Sequence, residues 1–399
     1  MRIPTFQQYQ APVAMMQQQN AILQKTQMQL SSGLRILTPS DDPTGSARVL
    51  NLNANLSLID QYGSNGTVAK NSLGQQDTTL SSVNDSLQRI RQLVVQGMSP
   101  TNDDGARANI ALELDQNLQQ LMGLANTRDA NGEYLFSGSN STTIPFVDQG
   151  GTVTYQGDQT SRAVQVGDGT QVTTRDAGDK VFMQIPSGDG IIDVRAGGAN
   201  TGTLVVGQFS GGQQFVPGNY TVTFNTGSGG QMNYTVTDGA TPPNTVGTGT
   251  YQAGGNITFG GVQMTLSGNP ADGDVVTVQP SQPQSVFAVV KSLITSLRTP
   301  SNGNSTSIQN RMAQGLAGLD QTLTAVNNQR AVVGARLNTL DSMDNINANF
   351  KDQLTTLKSN TEDLDYADAI TKFNQQLTSL QAAQQTYKKT TSLSLFNYL

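Results

Sequence analysis

The chain has no cysteine, no histidine and no tryptophan. Without cysteine no disulfide can staple the fold, and no Cys/His zinc centre can form. Ser-His-Asp and Cys-His catalysis are excluded outright. No side chain has an unperturbed pKa near 7, so acid–base chemistry would need strongly shifted carboxylates or lysines. An enzyme is therefore the least favoured class, and neither a cofactor nor a catalytic residue is expected. Charge is scarce too: 13 % of residues carry one, the net charge is −6, and there is no long basic run. Nucleic acid is not an expected partner. No apolar run approaches the roughly 18 residues that cross a bilayer, so no membrane span is expected. The start, "MRIPTFQQYQAPVAMMQQQN", lacks an apolar h-region and a small-residue cleavage site, which argues against a cleaved Sec-type signal.

The 399 residues allow two or three domains. Glycine marks the organisation: of 41, 28 lie between Ser137 and Pro283, with 9 before and 4 after. The glycine-poor ends carry helical periodicity. Phe6, Tyr9, Val13, Met16, Leu23 and Leu30 recur at three- and four-residue steps, with Asn20 and Gln27 in the same register. Near the other end, Tyr366, Ile370, Phe373, Leu377, Leu380 and Tyr387 follow a heptad register. Between them lie helical patterns at Leu52–Val94, Ile110–Ala125, Val286–Leu297 and Leu316–Leu340. Gly63, Gly66 and Gly74 weaken the middle of the first of these and suggest a kink or break there. Gly334, beside Ala335, suggests a close helix crossing in the last. The middle alternates apolar and polar residues in short runs, "GNYTVTFNT", "QMNYTVTD", "GNITF", "VQMTLSG" and "DVVTVQP", each bounded by turn formers. These read as antiparallel strands of a sandwich or barrel. The expected class is α+β: a long helical coiled-coil bundle built from both chain ends, with an inserted antiparallel β-rich domain.

The stretch Leu30–Gly45, "LSSGLRILTPSDDPTG", reads as a helix stop and start. Gly33 can take the left-handed conformation that ends a helix. Pro39 holds its neighbours out of helix. Asp41 and Asp42 read as capping groups, with Asp42 as N-cap and Pro43 as first helical residue. A calcium or magnesium site there would need D-x-D-x-D-G spacing, which is absent, so no metal is expected. Ser359 and Glu362 have capping-box spacing and suggest a helix start. Asp363, Asp365 and Asp368 then read as a solvated acidic first turn. "GSGG" and "GTGT" complete no phosphate loop and read as hairpin turns or bulges. Tyr155, Phe209, Tyr220, Phe224, Tyr234 and Tyr251 could offer a sugar platform, though inward or cross-strand positions fit them better.

Both chain ends resemble the flagellin superfamily. Leu30, Ser31, Ser32, Gly33, Arg35, Asp41, Asp42 and Gly45 match its N-terminal signature. Glu362, Asp363, Asp365, Tyr366 and Ala367, in "SNTEDLDYADAITKFNQQLTSLQAAQQTYKK", match its C-terminal region. Within the superfamily the start "MRIPT", the stretch "NGEYLFSGSNSTTIPF" and the end "SLSLFNYL" are similar to the hook–filament junction branch rather than to filament flagellins. The resemblance covers roughly residues 1–146 and 280–399, with only a weak match in the β-rich middle. It implies export through the flagellar type III apparatus, without signal cleavage, to the extracellular flagellum. The partners it implies are a ring of copies of the chain itself, hook-associated protein 1, flagellin, and a cytoplasmic export chaperone. Filament flagellin, or an adhesin or glycan-binding role of the β domain, are the alternatives. The expected layout is an inner layer of terminal helices (1–38 plus 363–399), a helical bundle (39–145 plus 281–362) and an outer β-rich domain (146–280). The assembly seam is the two terminal apolar series. The hinge comprises Gly33, Pro39, Asp41, Asp42, Pro43, Ser359 and Glu362.

Overall fold

The computed structural model describes residues 5–300 and 305–392, with side chains over 10–300 and 305–389. Phe6, Tyr9 and the whole of the tail "SLSLFNYL" lie outside the described side chains. The helices are α1 (Thr5–Ser32), α2 (Pro43–Gly97), α3 (Asp104–Ala125), α4 (Asp179–Phe182), α5 (Val286–Arg298), α6 (Ser305–Glu362) and α7 (Tyr366–Ser392). The strands are β1 (Phe146–Gln149), β2 (Thr152–Tyr155), β3 (Arg162–Gly167), β4 (Thr170–Arg175), β5 (Ile185–Pro186), β6 (Ile192–Ala196) and β7 (Val205–Gly211). They continue with β8 (Tyr220–Thr226), β9 (Met232–Asp238), β10 (Thr245–Thr250), β11 (Asn256–Phe259), β12 (Val262–Ser267), β13 (Val275–Pro280) and β14 (Pro283–Gln284). Two compact units result: 1–64 with 343–399, and 65–342.

In the second unit a five-stranded sheet, β10-β9-β8-β13-β6, and a three-stranded sheet, β11-β12-β7, share one core. Every strand pair is antiparallel. Alternation explains why. Val222 and Phe224 on β8, Val276 and Val278 on β13, and Val262, Met264 and Leu266 on β12 point inward at every second residue and are buried. The five strands expected from the sequence are all present.

The helices of this unit pack by a heptad. On α2, Ala69, Leu73, Gln76, Leu80, Val83, Leu87, Ile90 and Val94 are buried at alternating four- and three-residue steps. On α6, Met312, Leu319, Val326, Val333 and Leu340 are buried once every seven residues. Ion pairs between the two helices, Lys70–Asp341 at 2.6 Å, Arg330–Asp77 at 3.0 Å and Arg91–Asp320 at 2.8 Å, mark an antiparallel register. The expected interruption is no break: α2 runs as one helix through Gly63, Gly66 and Gly74. The uninterrupted buried seam outweighs the roughly 1 kcal/mol that each glycine costs relative to alanine. The expected crossing at Gly334 is absent, since a Cβ there would meet no heavy atom within 4 Å. Close approach occurs instead at Gly315 and Gly318, against Leu293 and Val289 of α5. The stretch "NGEYLFSGSNSTTIPF" is bolted to this unit by aromatic contacts: Phe136 with Phe182 at 5.4 Å, and Phe146 with Phe182 at 5.2 Å and with Phe287 at 5.4 Å.

The first unit contains α1, α7, the start of α2 and the end of α6. Here α1 and α7 lie antiparallel. Leu364 N–H donates to Gly33 O at one end of the pair, and Thr26 Oγ1 donates to Gln376 Oε1 at 2.9 Å further along. Lys351 and Asp60 pair at 2.6 Å between α6 and α2. The capping-box reading of Ser359 and Glu362 is corrected: both lie in the last turn of α6, not at a helix start. Helix α7 is started instead by Asp365, whose Oδ1 accepts from Ala367 N–H at 3.0 Å and Asp368 N–H at 3.2 Å.

Candidate assembly face and the joint that carries it

The helices α1 and α7 meet along a narrow line. On α7, Ala369, Phe373, Gln376, Leu380, Ala383 and Tyr387 turn inward at four- and three-residue steps, Ala369 and Leu380 fully and the others partly buried. On α1, Val13, Met16, Leu23 and Leu30 are partly buried and Thr26 is buried. Such a line contains little wholly buried apolar surface. Leu380 is the one large apolar side chain of either helix that is fully buried among the described residues.

The C-terminal series expected as one seam is split. Phe373, Leu380 and Tyr387 face the pair, whereas Tyr366 is 52 % exposed, Ile370 49 % and Leu377 37 %. Ile370 and Leu377 are one heptad apart, so they share a side of α7. Met15 and Ile22 do the same on α1 and are also exposed. The reason is geometric: one partner helix covers only one edge of an apolar stripe this wide. Each helix is left with exposed apolar side chains along one edge.

The connectors between these helices and the rest of the unit are built from turn and cap chemistry. Gly33 N–H bonds Gln29 O at 2.9 Å and closes α1 with φ +73°. A side chain there would also strike Tyr366, whose Oη lies 2.8 Å from the Cβ position. Thr38-Pro39-Ser40-Asp41 is a turn closed by Asp41 N–H to Thr38 O at 3.0 Å, with proline at its second position. Asp41 Oδ2 accepts from Leu37 N–H at 3.0 Å and Thr38 N–H at 2.9 Å, and its other oxygen pairs with Lys25 at 2.6 Å. Lys25 and these amides hold the Asp41 carboxyl down at about 2. Asp42 Oδ1 caps α2 through Gly45 N–H at 2.8 Å, and Pro43 opens that helix. The Gly45 amide, and then Arg35, lower the Asp42 carboxyl as well.

The two connectors meet. Leu34 and Asp363 form an antiparallel bridge, with Arg35 N–H to Glu362 O at 2.7 Å and Leu364 N–H to Gly33 O at 2.9 Å. The Arg35 guanidinium donates to Thr361 O at 2.5 Å and pairs with Asp42 at 3.4 Å. Ser359 bonds Asp363, and Glu362 pairs with Lys358 at 3.5 Å. Of the expected hinge residues, Gly33 and Glu362 flank the bridge, each accepting an amide from the opposite connector. Sequence reasoning missed the reach of Arg35 and the cap at Asp365. The latter was visible as an aspartate just before "YADAITKF". Among the described residues no three acidic side chains gather as a metal site, and no helix is long and apolar enough to cross a membrane.

Comparison with known proteins converges on the same two ends. The model of the bacterial flagellin N-terminal helical region matches residues 3–141, and that of the C-terminal helical region matches 316–399. Flagellar hook-associated protein 3 of Escherichia coli (strain K12) is 31 % identical over 187 residues, 47 % of this chain. The matched stretch spans 58 % of that relative's length. Among solved structures, flagellar hook associated protein-3 from Legionella pneumophila is 32 % identical, with a TM-score of 0.74 over 78 % of this chain and 98 % of that one. Xanthomonas campestris FlgL is 30 % identical, with a TM-score of 0.72 over 77 % and 99 %.

Proposed function

Since the chain belongs to the flagellin family, in its hook-associated protein 3 (FlgL) branch, we propose that it is a structural component of the bacterial flagellum that joins the hook to the flagellin filament. The observation that carries this reading is the open apolar edge on both terminal helices: Met15 and Ile22 on α1, Tyr366, Ile370 and Leu377 on α7. A surface of this kind is covered when copies pack side by side, and heterologous contacts of that type close into rings or continue as helical arrays. Ordering of the pair is weak in the free chain and is completed by burial against neighbours. In this reading residues 1–38 and 363–399 form an inner layer, 39–145 and 281–362 a surrounding bundle, and 146–280 an outward β domain. The chain binds hook-associated protein 1 on one side and flagellin on the other. It reaches this extracellular site by type III export without signal cleavage, accompanied before export by a cytoplasmic chaperone.

Deletion of the gene from its motile host tests the role. The expected outcome is hooks without filaments, flagellin released to the medium, and restoration by the intact gene. Filaments of normal length on the deletion strain would overturn it.

A further inference from the structure

The two connectors are stitched to each other by a pair of backbone hydrogen bonds. Glu362 O and Gly33 O each receive an amide from the opposite connector, at 2.7 and 2.9 Å. One side chain spans the crossing. Arg35 sits in the N-terminal connector, donates to the Thr361 carbonyl in the last turn of α6, and pairs with Asp42, the N-cap of α2. A cation there meets the negative end of the α6 dipole and a carboxylate together, which a guanidinium fork can do and a point-charge ammonium cannot. Tyr366, the first residue of α7, lies over Gly33, where no Cβ fits.

We propose that these contacts form a latch that makes the two chain ends one cooperative element, with Arg35 as its positioning residue. The N-terminal and C-terminal connectors dock or release together, so α7 is seated on the rest of its unit only when the Gly33–Asp42 connector is in place. The latch rests on the assembly reading for its purpose: it delivers the open edges of α1 and α7 to neighbours as one body. Its physics is independent of that purpose.

The test is native-state amide hydrogen exchange on the full-length free chain. In the unsubstituted protein the Arg35 and Leu364 amides should exchange through one shared opening, with the same dependence on denaturant. Arg35→Gln should speed exchange at Leu364, in the far connector, by about fivefold, a modest factor because the guanidinium is half exposed. Arg35→Lys should restore only part of the protection. Amides of the β core, such as Val222 and Val278, should not change and report that the variant is folded. Independent openings of Arg35 and Leu364, or a Leu364 amide indifferent to Arg35→Gln, would overturn the latch. The unsubstituted protein alone decides the first point, so a variant that fails to fold leaves the proposal testable. Exchange in the free chain is separate from motility, so loss of the latch and loss of the junction role are read apart.

Discussion

Leu377 and Leu380 are three residues apart on α7, and truncating each should have opposite consequences. Leu380 is 7 % exposed, whereas Leu377 is 37 % exposed. Leu→Ala removes a methine and two methyls, worth about 0.8 kcal/mol each when buried, or about 2.4 kcal/mol before any cavity term. That shifts the closed–open equilibrium of the helix pair by roughly 50-fold. The pair has no other large, fully buried apolar side chain among the described residues, so Leu380→Ala should open it in the free chain. Far-UV circular dichroism should lose helix, and the amides of α1 and α7 should exchange together, with the β core unchanged. Leu377→Ala should stay within about 0.5 kcal/mol of the parent in the same assays. It should nevertheless impair incorporation into flagella, because its side chain belongs to the open edge. Equal exchange in the two free variants, or normal incorporation of Leu377→Ala, would refute the division of the stripe into an inner and an outer edge.

Other consequences concern glycine and pH. Gly334→Ala should raise stability by about 0.5–1 kcal/mol, seen as a small rise in melting temperature, because the helix gains a better former and the methyl meets nothing. Gly315→Ala should lower it, because the new Cβ would lie 2.6 Å from Leu293 Cγ. Asp41 and Asp158 are held at about 2, against 3.8 ordinarily, by Lys25 and by the Ser139 hydroxyl respectively. A carboxyl more acidic in the fold than in the unfolded chain adds stability above its unfolded pKa and loses it as pH falls through the folded one. Thermal stability should therefore decline between pH about 4 and about 2. Burial pushes the Tyr155 phenol up to about 12, and its neutral form is the one accommodated. That contribution is complete below pH about 10 and fades as pH rises toward 12. With no histidine in the chain, melts from pH 5 to 9 should be nearly flat; a step near pH 6–7 would contradict this.

Much of the fold was legible because periodicity and burial coincide. Strands β8, β11, β12 and β13 and the α2 seam bury apolar residues that their patterns mark, whereas on α6 Leu319, Val326, Val333 and Leu340 are buried but Leu316, Leu323 and Leu337 only partly, and on β9 Val236 is buried but Met232 and Tyr234 only partly. Strand β10, "TVGTGT", was not legible: it alternates glycine with exposed threonine and exists by pairing with β9. Strands β1 to β4 are short, with bulges in the β3–β4 pair, and their order comes from contacts made by Phe146 and Arg175 with distant segments. The caps at Asp41 and Asp42 were readable because they act on amides within four residues. Arg35 was not, because its partner at Thr361 is 326 residues away. At Ser359 a local signature misled: the spacing was right, but the chain is already in the last turn of α6, and the cap falls to Asp365. The terminal seam was identified as apolar, but which edge packs within the chain depends on the tilt of one partner helix, which spacing does not specify.

The junction role is tested most directly by location. The chain has no cysteine, so a single Thr248→Cys on the exposed edge of β10 gives one labelling site. Gold- or dye-labelled flagella from a strain carrying that variant should show one narrow band where the hook meets the filament, with none beyond it. Label distributed along the filament would contradict the account and make this chain a filament subunit.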